Sequence, residues 1–144
     1  EQTRLFQRRI RKHLIVEGHG ALLPEHIHVK GQTVIFLSPQ EAQKKYAILD
    51  AANDVATFSV ELLRQQEEEL NSSFLDRYLR SSRDRTDMKP LLPVYQMYAA
   101  LRLGVTSCEM RTAMAWTEEK REAFQQRAVQ YFNIAVRFAR QLPH

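Results

Sequence analysis

The sequence predicts a mainly α fold: a helical bundle of two long antiparallel helices and two or three shorter ones, with a small β-hairpin near the N-terminus. Three observations predict it. Apolar residues recur at spacings of three and four over residues 46–63 and again over 124–142. The 4 glycines and 5 prolines of the chain leave both stretches uninterrupted. Residues 26–37 instead alternate at period two around a Gly31-Gln32 pair, the pattern of two short strands and a tight turn.

A chain of 144 residues fits one domain, 1–144, and is long enough to bury a core without staples. Its 44% hydrophobic and 26% charged residues match ordinary globular composition, which sets aside disordered and fibrous classes. The single cysteine, Cys108, excludes an internal disulfide and a cysteine-based zinc site. No apolar run approaches the roughly 18 residues of a membrane span, and no secretory signal is visible. A cytoplasmic protein is the expectation. Glu1 in place of an initiating Met predicts a chain processed or cut from something longer, so a membrane-anchored parent is kept in view.

The first element is a basic leader, residues 1–16. Phe6, Ile10 and Leu14 fall on one helical face, with Arg4, Arg8, Arg11 and Lys12 turned away. The five cations, Arg9 included, oppose only Glu1, so the whole net charge of +4 resides here. Such a helix can dock on the domain with a solvated basic face, lie at the inner face of an anionic membrane, or contact nucleic acid. Arg4, Arg8, Arg9, Arg11 and Lys12 are therefore the candidate interaction residues.

Gly18 and Gly20 are expected to end this helix, and Pro24 leads into the hairpin, 26–37. Gly31-Gln32 suits a two-residue type II′ turn. Ile27, Val29, Val34 and Phe36 would share one face, directed at the helices; His26, His28, Ile35 and Leu37 would share the other. A lone two-stranded ribbon is marginal in water and needs a neighbour.

The helical core, 38–142, opens on Ser38-Pro39-Gln40-Glu41, a capping box with proline in the first turn. From there one central helix to Gln66 is expected, roughly 40 Å long. Glu67-Glu68-Glu69 has the wrong sign for a helix C-terminus. Asn71-Ser72-Ser73 reads as a weak break, and 81–90 as a polar loop and the most mobile segment. Pro93 starts a helix that Gly104 should stop. Thr106 to Glu109 would cap a short helix ending near Trp116, and Thr117 would cap the last one, with Glu118 and Glu119 in its first turn.

Few constellations carry chemistry. His26 and His28 form an H-x-H pair that could share a metal with Glu17, His19 or Glu25, but an exposed histidine pair is the simpler reading. Asp50 and Asp54, four apart, would repel on one helical face unless compensated. A buried structural polar pair neutralised by an arginine, such as Arg127 or Arg137, is favoured over a catalytic pair. Cys108 reads as a small core residue rather than a nucleophile. No Gly-rich phosphate loop, nucleophile elbow, H-E-x-x-H or zinc spacing occurs, so neither a cofactor nor a catalytic residue is expected. Residues 104–127 resemble a helix-turn-helix only in outline, because Arg111 and Arg121 fall where apolar packing is needed.

The expected function is a non-catalytic protein–protein interaction or regulatory module, acting on another protein or by self-association. The alternative is a nucleic-acid-binding regulator using the leader or the helix pair around Trp116.

Overall fold

The computed structural model describes residues 2–37, 48–82, 84–112 and 116–142. Six α-helices occur among them: α1 (Gln2–Arg11), α2 (Ala51–Arg64), α3 (Glu68–Ser81), α4 (Arg85–Met88), α5 (Leu92–Arg111) and α6 (Glu118–Ala139). Two antiparallel ribbons accompany them. One pairs β1 (Ile15–Glu17) with β4 (Ile48–Asp50), and the other pairs β2 (Ile27–Lys30) with β3 (Thr33–Phe36). The fold is mainly α, and its two long packed helices are α5 and α6.

The hairpin has the expected register, Ile27 opposite Phe36 and Val29 opposite Val34. Gly31 at its turn takes a φ of 62°, where a side chain is strained. The leader helix is shorter than expected. It stops at Arg11, and His13, at a φ of 54°, turns the chain into β1, so Ile15 and Val16 belong to a strand. Gly18 and Gly20 lie beyond that strand and do not end the helix.

The expected 40 Å central helix is corrected as well. Its Ser38 capping box falls on residues 38–47, outside the described residues. The helix itself begins at Ala51, where the Asp50 carboxylate accepts from the Ala52 N–H at 2.8 Å. It closes at Gln65, and Gln66 at a φ of 65° breaks the chain. Glu68 and Glu69 therefore open α3, where carboxylates favour the helix dipole, and Glu68 also accepts from Arg137 Nη1 at 2.6 Å. The supposed break at 71–73 is interior to α3. There Asn71 Oδ1 accepts from Ser59 Oγ at 2.7 Å, and Ser59 Oγ accepts from Gln96 Nε2 at 2.7 Å. This buried polar relay ties α2 to both α3 and α5.

Nor does Gly104 stop a helix. It lies inside α5, and a Cβ there would come within 2.7 Å of the Phe132 ring. The glycine lets α6 approach closely. Thr117 caps α6 as expected, and Ala128, Tyr131, Ala135 and Phe138 bury its stripe.

Two clusters make the core. Val60 and Leu63 of α2 pack with Ala99, Ala100 and Leu103 of α5 and with Tyr131, Ala135 and Phe138 of α6. Ala52, Val55 and Ala56, on the earlier turns of α2, pack with Met88 and Leu92, flanked by Phe74 and Tyr78 of α3. The segment 81–90, expected to be a polar loop, thus contributes a short helix and a fully buried methionine.

Candidate functional site

The densest polar constellation sits where α1 docks. Phe6 lies edge-on to Tyr95 with ring centroids 6.0 Å apart. One turn later Arg9 is completely buried. Its Nε and Nη2 donate to Asp50 Oδ2 and Oδ1 at 2.5 and 2.6 Å, and Nη1 donates to Asp84 Oδ1 at 2.7 Å. The Tyr95 hydroxyl completes the Asp50 shell at 2.8 Å. Asp50 is thus compensated by an arginine, as the sequence suggests, but the arginine is Arg9 and not Arg127 or Arg137. Desolvation opposes ionisation of Asp50. The Arg9 guanidinium, the Ala52 N–H and the Tyr95 hydroxyl outweigh it and leave the carboxyl below its ordinary 3.8.

Asp54 does something different. Its Oδ2 accepts from the His19 N–H at 2.6 Å and its Oδ1 from the Gly20 N–H at 2.9 Å. One carboxylate of α2 thereby fastens the loop between β1 and β2. A Cβ on Gly18 would stand 2.6 Å from Asp54 Oδ2, so the close approach needs glycine there. Asp50 and Asp54 do not form a paired site: Asp50 caps the helix and holds the leader, while Asp54 faces the loop.

A second buried carboxylate, Glu61, was not singled out in the sequence, although Arg64 three residues on was a signal for it. Glu61 accepts from Arg64 Nη2 at 2.5 Å and Gln65 Nε2 at 2.9 Å, and from the Tyr131 hydroxyl of α6. Desolvation opposes its ionisation, and Arg64, Tyr131 and Gln65 prevail, so its pKa falls below 4.5. Burial first, and then Asp50 or Glu61, pushes the Tyr95 and Tyr131 hydroxyls well above 10.0.

These shifts set a pH window. Carboxyls with depressed folded pKa values stabilise the fold above their unfolded values, and that stability is lost as pH falls through the folded values. Tyrosines with raised values stabilise it below their unfolded value, and that contribution is lost as pH rises beyond it. Urea midpoints should therefore plateau between about pH 5 and pH 9.5 and fall on both sides. A plateau that runs unchanged to pH 3 would mean that Asp50 and Glu61 are not held as described.

The leader's charge is largely engaged. Besides Arg9, Arg8 Nη1 and Lys12 Nζ meet the buried Asp87 at 3.1 and 2.6 Å. Lys12 first, with Arg8, lowers the Asp87 pKa against its burial. Arg4 and Arg11 are exposed.

His26 stacks on His19 with centroids 4.8 Å apart, His26 Nδ1 lies 2.9 Å from the Ala21 carbonyl, and His28 is exposed. Among the described residues no three His, Cys, Asp or Glu side chains are grouped as metal ligands. Cys108, expected in the core, is exposed on α5. Around Trp116, Lys120 Nζ stands 3.5 Å above the indole and Phe124 lies beside it at 5.9 Å. α5 and α6 pack along their length, not in the crossed arrangement of a helix-turn-helix.

What the surface does offer is apolar. Val29, at 71% exposure, and Ile48, at 80%, join Val34, Ile35 and Phe36 in solvent. Between the hairpin and α2 and α3 lies an apolar groove of about 490 Å³, with Val16, Ile27, Phe36, Phe58 and Phe74 among its walls. The hairpin face expected to rest on the helices is thus only half seated. Among the described residues no helix is long and apolar enough to cross a membrane. Comparison with protein-family models, with curated proteins and with solved structures returns no match.

Proposed function

We propose that the chain is a non-catalytic protein-binding module that uses the apolar hairpin face and the groove beside it. The observation that carries this reading is the set of large apolar side chains, Val29, Val34 and Phe36, that one face of the β2–β3 hairpin leaves exposed, two of them lining the groove. Surface of that kind, rimmed by polar residues, marks interaction sites in soluble proteins. Two further features support it. Asp50, Asp54, Glu61 and Asp84 are each engaged by a guanidinium or by backbone N–H groups, which favours a structural role for them. Three of the five leader cations are spent on Asp50, Asp84 and Asp87, which favours an apolar partner surface over an anionic membrane or nucleic acid. The setting this reading assumes is cytosolic.

The test compares the wild-type chain with a Val29→Ser/Phe36→Ser variant, both immobilised and exposed to the same cell extract. Both positions are exposed, so melting temperature should change little. A protein retained by the wild type and lost by the variant, then reproduced with the purified pair, is the expected result. Equal retention by both would sink the proposal.

A further inference from the structure

α5 is apolar on two opposite faces. One packs into the core through Ala99, Ala100 and Leu103. The other carries Val94, Tyr98, Leu101, Val105 and Cys108, continued by Thr112 at the C-cap, spaced alternately four and three residues apart. That alternation repeats every seven residues and is the seam of a helix packed on another helix. Yet Tyr98, Leu101 and Val105 are 55%, 44% and 50% exposed, and Cys108 and Thr112 are exposed too. The seam faces solvent.

The charges beside the seam say what fits it. Arg102 and Glu109 flank it on the same side, seven residues apart, each following a seam residue, Leu101 or Cys108. Among the described residues neither forms an ion pair within the chain; Arg102 only donates to Thr57 Oγ1 at 3.3 Å. At about 1.5 Å rise per residue the two lie about 10 Å apart along one helix, too far to pair with each other. In an antiparallel helix pair, positions of this kind on the two helices meet each other. We infer that α5 is a self-association surface, pairing antiparallel with α5 of a second copy so that Arg102 of each meets Glu109 of the other. This register sets Val105 opposite Cys108 of the second copy and Leu101 opposite its Thr112. A partner with an unrelated helix would have no reason to match both charges, whereas a second copy matches them twice by symmetry.

The overlapping seam is about 20 Å long, less than the roughly 800 Å² per partner of a standard interface requires. The dimer is accordingly weak, with half-association near 100 µM in order of magnitude. The surface is distinct from the hairpin face, so the Val29→Ser/Phe36→Ser protein should associate like the wild type, and either reading can fail alone.

Sedimentation equilibrium of the purified chain from about 10 µM to 1 mM provides the test. The wild type should show a monomer–dimer equilibrium. Leu101→Glu/Val105→Glu, with unchanged circular dichroism, should stay monomeric. Arg102→Glu alone should weaken association about fivefold or more by setting two carboxylates against each other, twice. Adding Glu109→Arg should restore it, because the pairs re-form with signs exchanged. A wild type that stays monomeric to 1 mM would overturn the inference. So would association indifferent to the seam substitutions, or a double charge reversal no better than the single one.

Discussion

Arg9→Ala should destabilise the protein by about 3–5 kcal/mol, the cost of leaving buried charge without its partner. A domain of this size has a total stability of only about 5–15 kcal/mol, so the variant should be partly unfolded at 37 °C. The reason lies in what remains. Asp50 and Asp84 are both buried, and both direct their oxygens at the missing guanidinium. The loss should therefore shrink when Asp84→Asn is added, since one of the stranded carboxylates becomes neutral. Urea denaturation of the four members of that cycle measures the coupling. An Arg9→Ala loss under about 1 kcal/mol would show the network to be a surface ion pair rather than a buried one. Because the pairs are shielded from solvent, 1 M salt should leave the wild-type contribution largely intact.

Met88→Ala should cost about 2–5 kcal/mol, comparable to other buried Met or Leu truncations. Met88 is completely buried and belongs to the cluster of Ala52, Val55, Ala56 and Leu92. Tyr78, Leu79 and Tyr95 pack around it, and two of those are large rings that cannot collapse into the gap. The neighbouring exposed Lys89→Ala should cost less than about 0.5 kcal/mol and serves as the control. Equal midpoints for the two variants would mean that 81–90 is the free polar loop its composition suggests.

What was legible in the sequence was periodic and local. The hairpin was visible because strict alternation met a glycine at the turn, and Gly31 indeed adopts the conformation that the turn requires. α6 was visible because Thr117 and its acidic first turn stand directly before the apolar stripe. Boundaries failed where one residue type serves two ends. Gly104 has the identity of a helix stop, yet its lack of a side chain admits Phe132, a need created by another helix. Glu67 to Glu69 is anomalous for a C-terminus, and the anomaly is information: Glu68 and Glu69 begin α3, with Glu67 at its N-cap. Asp50 looked like a mid-helix charge because apolar residues flank it on both sides, while in the structure it is the cap. That Asp50 needs an arginine was legible, but that the arginine is Arg9, shared with Asp84, was not. The partners of Arg9 lie 41 and 75 residues away, and no local pattern distinguishes an arginine destined for burial from its four charged neighbours.

Those separations also order events during synthesis. Asp84 and Asp87 are translated some seventy residues after α1, so the leader cannot complete its contacts until they have been made. Closing so large a loop is entropically costly, and its reward comes only when both acidic stretches are positioned. Until then a nascent chain carries an unsheltered cationic segment together with carboxylates that have no counterion. Seating of α1 is thus a late step that reports completion of the tertiary fold, and protease cleavage within residues 2–11 during refolding would time it.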